Sequence, residues 1–239
     1  MTVHAPLREM AAQAGPVIGN RLLAGLPDAD RDALRPHLRE TPLNSGEVLF
    51  EPGDEVAHVW FPHSGAVSLV MILADGPRVE AFMAGREGAT DPLALAGPRP
   101  AVARAVVQLP GDAARVETGR LREIAQARPA VRAMLDRYAA SLFGEIQQAV
   151  ACNAAHRMAP RLAKWLLRSH DRADADVLPL TQEFLAEMLG AQRTTVTETA
   201  RALQVAGAVD YRRGRITIRD RGILERLSCE CYAATAPRA

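Results

Sequence analysis

Residues 180–218, LTQEFLAEMLGAQRTTVTETARALQVAGAVDYRRGRITI, have the pattern of two short helices followed by a β-hairpin. Thr181 is a natural N-cap for the first helix. The apolar residues behind it recur on one helix face: Phe184, Leu185, Met188 and Leu189. Gly190 predicts the end of that helix, because glycine adopts the left-handed C-terminal conformation at little cost. We expect the second helix to begin near Gln192.

The second helix is predicted to have one apolar side and one polar side. Its apolar members are Val196, Ala200, Leu203 and Val205. The polar residues fall mostly on the opposite side: Arg193, Thr194, Thr195, Thr197, Glu198 and Arg201. A recognition helix presents its N-terminal residues to base edges in the major groove. The pattern therefore predicts a helix-turn-helix that contacts DNA.

The hairpin after these helices is basic. Two strand-like runs, 209–211 and 215–218, flank a turn that contains Gly214. The positive residues of the whole region are Arg193, Arg201, Arg212, Arg213, Arg215, Arg219 and Arg221, against Glu198, Asp210 and Asp220. A local positive excess is typical of phosphate binding. This clustering favours a DNA-binding winged helix-turn-helix over a helical hairpin that binds nothing.

Composition limits the class of protein. The chain has 239 residues, 48% hydrophobic and 24% charged, which suits a soluble protein of two modest domains. Its formal net charge of +1 means that any nucleic-acid site is a local patch. We expect a cytoplasmic protein with no membrane partner, because the N-terminus lacks a signal-peptide pattern and no apolar run reaches about 18 residues.

The three cysteines, Cys152, Cys229 and Cys231, give no disulfide framework. Cys229 and Cys231 could contribute to a metal or redox site. A third and a fourth ligand are not evident near them, so the sequence predicts no metal site. No nucleophile–base pair, paired acids or phosphate loop emerges either, and we expect no enzymatic activity.

The first half of the chain is rich in short strands. The runs GEVLFEPGD, HVWFPHSGAVSLVMILADGPRVEAFMAG and ARAVVQLPGDAARVET lie between residues 46 and 118 and are punctuated by Gly, Pro and Asp. Evenly spaced short strands predict an antiparallel sandwich or barrel. A small helical segment precedes them, with Asp28 or Asp30 as its cap and Leu34 and Leu38 turned inward.

This order of elements resembles the CRP/FNR family over roughly residues 20–225. The resemblance lies in SGEVLFEPGD (45–54), Ser64–Gly65, GREG (85–88) and LTQEFLAEMLGAQRTTV (180–196), and the ending LERLSCECY is similar to that of one subgroup. It implies an α+β fold of four parts: an N-terminal extension (1–20), a jelly-roll sensor domain like those that bind cyclic nucleotides (21–127), a dimerisation helix (128–157) and a winged helix-turn-helix domain (158–239).

The resemblance also implies a ligand cassette. Its residues here are Arg86, Glu87, Gly88, Arg99 and Ala101. Relatives that bind cyclic nucleotides have a serine or threonine where this chain has Pro100, which supplies neither a hydroxyl nor an N–H group. The sequence therefore argues against a cyclic mononucleotide as the signal, and a different small-molecule effector or no ligand remains open.

Two other cofactors of this family can be weighed. An iron–sulfur cluster needs about four thiolate ligands, and no cysteine precedes Cys152, so the sequence argues against an iron–sulfur cluster in this protein. Haem stays open, because one axial histidine is enough. The candidates are His58, His63 and His156, although an ordinary hydrogen-bonded histidine is the more common case.

Pro129 opens a long helical pattern with an apolar stripe in steps of three and four. The residues predicted to form a dimer interface are Leu135, Tyr138, Leu142, Ile146, Ala149 and Asn153. Packing of this stripe against the roll is the alternative, and both could hold for one helix. The family resemblance favours a parallel homodimer. The polar stretch 169–176 is expected to be an exposed loop, and by resemblance RNA polymerase is a candidate partner for it.

The resemblance assigns roles on the second helix. Arg193 is expected to read a guanine, while Thr194 and Glu198 select the neighbouring bases. Gln192, Thr195 and Thr197 are phosphate candidates, with Arg212, Arg213 and Arg215 on the wing. We therefore expect a homodimeric transcription regulator that binds a palindromic operator. The alternative is a nucleotide- or small-ligand-binding module that acts through a protein partner, with a degenerate helix-turn-helix.

Overall fold

A computed structural model describes residues 19–235 except 75, 77 and 174. It contains a β-roll, a long helix and a C-terminal unit of helices around a small sheet, which is the predicted α+β architecture. Residues 1–18 of the predicted N-terminal extension lie outside the described residues.

The roll consists of two antiparallel sheets. Its strands are β1 (Arg39–Leu43), β2 (Val48–Phe50), β3 (His58–Pro62), β4 (Ala66–Ile72), β5 (Arg78–Ala84), β6 (Arg104–Leu109) and β7 (Gly111–Glu117). One sheet has the order β1-β7-β3 and the other β2-β6-β4-β5. Gly65, between β3 and β4, has φ +71°, and an added Cβ would lie 2.5 Å from the Leu109 carbonyl oxygen, so this joint requires glycine.

A small helical segment closes one end of the roll. It contains α1 (Arg21–Ala24) and α2 (Asp28–Leu34), and Leu34 and Leu38 are buried as predicted. The cap was predicted at the wrong residue. Asp28 lies in the first turn of α2, and Pro27 occupies the N-cap position without a side-chain hydrogen bond. The buried Asn20 caps α1 instead, accepting hydrogen bonds from the N–H groups of residues 22 and 23.

Two helices follow the roll, α3 (Thr118–Ala127) and α4 (Pro129–Ala155). The interface residues predicted on α4 need correction. Leu135 and Leu142 are buried against the roll of their own chain, and Tyr138 and Ile146 pack partly against it. The Tyr138 hydroxyl also donates a hydrogen bond to the Ala89 carbonyl. These four of the six predicted residues therefore face the roll of their own chain.

The outer face of α4 carries a different exposed stripe. Its members are Asp136, Ala140, Phe143, Gln147, Val150 and Ala154. Phe143 is 63% exposed and Val150 is 66% exposed. Of the predicted interface residues, Asn153 is exposed and Ala149 is partly exposed. Sequence periodicity detected a helix with apolar spacing, but it could not separate two neighbouring stripes that both recur in steps of three and four.

The C-terminal unit begins with α5 (Met158–His170). Its other elements are β8 (Val177–Leu178), α6 (Gln182–Leu189), α7 (Arg193–Val205), β9 (Val209–Arg212), β10 (Arg215–Ile218), α8 (Arg221–Leu227) and α9 (Cys231–Thr235). The three strands form a small antiparallel sheet with the order β8-β10-β9. Leu162, Leu166, Leu185, Val196 and Ile216 belong to the core of this unit.

The predicted exposed loop at 169–176 is only partly exposed. Ser169 still belongs to α5, and Ser169 and Arg172 are buried. The Ser169 hydroxyl accepts a hydrogen bond from Gln108 of β6, and Arg172 pairs with Glu87 of the roll. The polar composition of this stretch suggested a solvated loop. Composition does not detect these contacts, because they join residues far apart in sequence.

The prediction that Cys229 and Cys231 lack nearby ligands is wrong. Cys152 and His156, one helical turn apart at the end of α4, lie beside them. The ligand atoms of all four residues lie within 4.8 Å of one another. The missing partners are about 75 residues earlier in the chain, so local spacing at the C-terminus gave no sign of them.

Candidate nucleic-acid interface and sensor site

Local sequence signals set the turn between α6 and α7. The Thr181 hydroxyl oxygen accepts a hydrogen bond from the Phe184 N–H group at 3.1 Å, which caps α6. Gly190 ends α6 in the left-handed conformation, with φ 60° and ψ 44°. Gln192 is extended and occupies the N-cap position of α7. Capping and a left-handed glycine thus fix the crossing of the two helices.

Helix α7 presents the expected polar face. Val196, Ala200 and Leu203 are buried on its inner side. Val205 was predicted on that side, but it is 83% exposed because it lies at the end of the last turn. The predicted DNA-contacting residues of this region are all exposed or partly exposed at the surface: Gln192, Arg193, Thr194, Thr195, Thr197, Glu198 and Arg201.

A contact between α6 and α7 adds a residue that sequence reasoning missed. The Thr197 hydroxyl is within 2.8 Å of the Gln182 side-chain oxygen and of the Arg193 carbonyl oxygen. The Gln182 N–H group in turn donates to the Tyr211 hydroxyl of β9 at 3.1 Å. Gln182 therefore joins the start of α6, the exposed face of α7 and the wing. The position of Gln182 in the first turn after the N-cap was the sequence feature that could have identified it.

The wing is a two-residue β-hairpin. Strands β9 and β10 pair from Val209–Ile218 to Arg212–Arg215, which leaves Arg213 and Gly214 as the turn. Arg213 has φ +48° and Gly214 has φ +75°, as a type I′ turn requires. Positive φ suits Asn or Gly better than Arg. Arginine at this tip is therefore not explained by backbone preference.

The wing and α7 carry positive charge that is largely uncompensated. Asp210 pairs with Arg212 at 3.2 Å and with Arg219 at 3.3 Å. Within the described ranges, no ion pair involves Arg193, Arg201, Arg213 or Arg215, and all four are exposed. Surplus guanidinium groups on one surface can bind phosphate oxygens.

Residues of the predicted ligand cassette are in contact with other segments of the same chain. Arg172, which follows α5, forms a buried ion pair with Glu87. A Cβ on Gly85 would lie 2.7 Å from the Arg172 side chain, and a Cβ on Gly88 would lie 2.5 Å from the Tyr138 hydroxyl. The two glycines thus permit close approach of an arginine from the C-terminal unit and a tyrosine from α4.

Arg99 and Ala101, at the other end of the predicted cassette, lie away from the cavity. Arg99 pairs with Asp91, a carboxyl whose pKa is raised by burial. Ala101 belongs to the roll core. A cavity of about 610 Å³ lies beside α4 and includes Glu87, Tyr138, Glu145 and Arg172 in its lining. Of the five predicted ligand residues, the cavity lining contains Glu87, so the structure does not gather the set around it.

Polar residues also connect α5 to the roll. Glu80 of β5 accepts hydrogen bonds from the Trp165 indole at 3.1 Å and the Ser68 hydroxyl at 2.7 Å. Burial raises the pKa of this carboxyl. Arg168 pairs with Glu145 of α4, and burial lowers the pKa of Arg168 to about 10. Because these groups are removed from water, their pairing strongly constrains how α5 sits on the roll.

Each haem candidate has another neighbour in the chain. His58 packs beside the Trp60 ring, and burial lowers its pKa. His63 lies 3.0 Å from a Glu40 carboxylate oxygen, and His156 lies beside Cys231. Ordinary neighbours of this kind do not identify any of the three as an axial ligand.

Comparison with known proteins relates these two units to recognised families. The family model described as Crp-like helix-turn-helix domain matches residues 160–227. The model described as Cyclic nucleotide-binding domain matches residues 40–128. The chain belongs to the CRP/FNR family. It is therefore related to transcription regulators with a helix-turn-helix, and these comparisons indicate no catalytic family.

Solved structures of CRP/FNR-type regulators share the fold. FixK2 from Bradyrhizobium japonicum is 19% identical, with a TM-score of 0.67 over 80% of this chain and 98% of its own. TTHB099, a transcriptional regulator of the CRP family from Thermus thermophilus, is 19% identical, with a TM-score of 0.66 over 79% and 96%. The c-di-GMP responsive regulator CLP of Xanthomonas campestris is 14% identical, with a TM-score of 0.63 over 81% and 100%.

No curated protein matches the chain. Among the helices in the described part of this CRP/FNR-family protein, none is both long enough and apolar enough to cross a membrane.

Proposed function

We propose that this protein is a cytoplasmic, homodimeric transcription regulator that binds a palindromic operator and responds to a signal at its roll. The observation that carries the proposal is the exposed N-terminal face of α7 beside a basic wing. A helix with this exposure can enter the major groove, while the wing reaches the adjacent backbone. In this proposal, residues 21–127 sense the signal, 128–157 form the dimer and 158–239 bind DNA.

Within α7, the proposed roles follow from position and chemistry. Arg193, at the first turn, has the guanidinium fork that bonds guanine O6 and N7. Thr194 and Glu198 would select neighbouring bases. Phosphate contacts are assigned to Gln192, Thr195 and Thr197, and to Arg201, Arg212, Arg213 and Arg215. Gln182 is added to this group because of its contact with Thr197.

We assign the dimer interface to the outer face of α4. Phe143 and Val150 are seven residues apart, so they lie two turns apart on the same exposed face. A second copy of α4 would cover this apolar surface. Two recognition helices related by a dyad would then meet two half-sites about one helical turn apart.

We place signal control at the cavity beside Glu87. An effector that bonds the Glu87 carboxylate there would compete with Arg172, whose ion pair connects the C-terminal unit to the roll. Such a ligand acts only through different affinities for two arrangements of the protein, typically by about 1–3 kcal/mol.

Selection of randomised duplexes by the purified, ligand-free protein tests the function. Enrichment of a palindrome, with tighter binding than scrambled DNA at two salt concentrations, supports the proposal. If no sequence is enriched with or without added effectors, the proposal is overturned. The alternative of a ligand-binding module that acts through a protein partner, RNA polymerase included, would then be preferred.

A further inference from the structure

A cluster of thiols lies away from the polar face of α7 and adjoins the far end of the cavity beside α4, whose lining includes Gln148 and Thr235. Cys152 is in the last turn of α4, and Cys229 and Cys231 follow α8. All three thiols are buried and free, and they form their own small cluster. They are also the only cysteines of the chain. His156 completes the group at the connection between α4 and α5.

The distances within this cluster suit a shared ion. The Cys152 and Cys229 Sγ atoms are 3.6 Å apart, and the Cys231 Sγ atom is 3.7 Å from His156 Nδ1. Tetrahedral zinc with Zn–S bonds of about 2.3 Å separates two sulfur ligands by about 3.8 Å. A disulfide would require about 2.05 Å between the sulfur atoms.

Polar side chains next to the four ligands provide the hydrogen-bond partners that a metal–thiolate site requires. The His156 Nε2 atom lies 3.3 Å from a Glu230 carboxylate oxygen, which leaves Nδ1 facing the thiols. A carboxylate bonded to the outer nitrogen is the usual support of a metal-binding histidine. Gln148 Nε2 donates toward Cys231 Sγ at 3.1 Å.

The side chain of Lys164 independently supports a negatively charged site at these thiols. It is the only lysine of the chain, only 8% exposed, and its Nζ atom lies 3.2 Å from Cys152 Sγ. No carboxylate pairs with Lys164 in the part of the chain that the structure describes. A buried ammonium beside neutral thiols would be costly. Three thiolates around a divalent ion have a net charge of −1, which this ammonium would balance.

We infer that Cys152, His156, Cys229 and Cys231 bind one zinc ion in a closed, tetrahedral structural site. Thiolate and imidazole ligands select zinc over hard cations such as magnesium and calcium. With four protein ligands no position is left for water, so the role of the ion is to hold chain segments together. It would fasten the segment after α8 to the end of α4.

The direct test is metal analysis of the full-length protein purified under reducing conditions without added chelator. We expect about one zinc ion per chain. Protein stripped of zinc and reloaded with Co²⁺ should show thiolate-to-cobalt charge transfer and the intense visible bands of tetrahedral cobalt. Folded, reduced protein that contains no metal and takes up neither ion would overturn the inference. So would a Cys152–Cys229 disulfide that persists in place of metal.

Variants separate ligation from folding. His156→Gln should weaken zinc affinity strongly, whereas His63→Gln, at a histidine paired with Glu40, should not. Glu230→Gln should leave the stoichiometry intact and weaken zinc affinity about 10-fold to 100-fold. If His156→Gln fails to fold, the Glu230 variant still tests the site. Equal zinc affinity in Glu230→Gln and the wild type, measured by competition with a chromophoric chelator, counts against it.

The site lies where the proposed dimer helix meets the proposed DNA-binding unit, so zinc could also affect DNA binding. That further effect rests on the proposed function. DNA anisotropy on zinc-loaded and stripped protein keeps the two proposals distinct. DNA binding without zinc uptake overturns the metal site only. Zinc uptake without DNA binding overturns the proposed function only.

Discussion

Arg172 and Glu87 form a buried ion pair that connects the C-terminal unit to the roll. The two residues are 85 positions apart, and the pair lies in the lining of the cavity beside α4. Gly85 leaves the space that the arginine side chain occupies. The pair therefore depends on how the C-terminal unit sits on the roll.

Replacing Glu87 by Gln should destabilise the protein, because it leaves the Arg172 guanidinium buried without its carboxylate. We expect a loss of about 3–5 kcal/mol in the free energy of unfolding, measured by urea denaturation. The matched control is Glu123→Gln, which removes an exposed pair with Arg120 and should cost about 0–1 kcal/mol. Similar losses in both variants would show that the buried pair is not special.

Arg193→Ala should weaken binding to the selected operator by about 1–3 kcal/mol and relax the preference at one base. Anisotropy titrations against the operator and against single-base variants measure both effects. Arg120→Ala removes one positive charge from α3 and should leave operator affinity unchanged. An Arg193 variant that loses affinity equally for operator and scrambled DNA would refute a base-reading role.

Arg213→Asn should weaken binding to all sequences while leaving the fold intact. Asparagine tolerates the φ of +48° at this turn better than arginine, so stability should be unchanged or higher. If Arg213 contacts one phosphate, the slope of log K against log salt should fall by about 0.9. An unchanged slope would remove the wing tip from the interface.

Phe143→Asp together with Val150→Asp should dissociate the proposed dimer, because two charges would be buried between two copies of α4. We expect the dimer dissociation constant to rise at least about tenfold, equivalent to about 1.4 kcal/mol, by analytical ultracentrifugation. Leu73→Asp, at an exposed apolar residue of the roll, is the control and should remain dimeric. An intact dimer in the α4 variant would exclude this face as the interface.

Stability near Glu80 should depend on pH. Burial raises the pKa of this carboxyl in the folded protein above its ordinary value of 4.5, so the folded state binds the proton more tightly than the unfolded chain. The contribution of Glu80 to the free energy of unfolding therefore rises as pH falls through the folded pKa toward 4.5, and it is lost as pH rises.

Glu80→Gln mimics the neutral acid and should lack this dependence. Urea denaturation of the wild type and the variant at several pH values measures the difference between them. That difference should shift in favour of the wild type on acidification. A constant difference across the range would mean that the carboxyl ionises normally. Glu123→Gln serves again as the exposed control.

Residues with local roles were predictable from the sequence. Thr181 and Gly190 act through the turn they belong to, and the structure places both as expected. The polar face of α7 follows from the spacing of Val196, Ala200 and Leu203, whose burial leaves the other side exposed. Capping, glycine conformation and helical period are properties of a few consecutive residues, so one sequence is enough to detect them.

Contacts between distant segments were not predictable in the same way. The sequence around Glu87 does not indicate that its carboxylate pairs with Arg172. The sequence around Cys229 does not indicate that its thiol contacts Cys152. For Tyr138 the helical stripe was correct but its partner was not, since the spacing is the same whether a face meets the roll or a second copy. The four-residue spacing of Cys152 and His156 was the one available sign of paired ligands.

Helix α4 ends at Ala155 and α5 begins at Met158, so only His156 and Arg157 join them. Two residues contribute four soft backbone torsions. Any rotation of α5 against α4 must be made through those torsions, and two of them belong to His156. The backbone conformation of His156 therefore helps to set the angle between α4 and α5, and with it the position of the helix-turn-helix that follows.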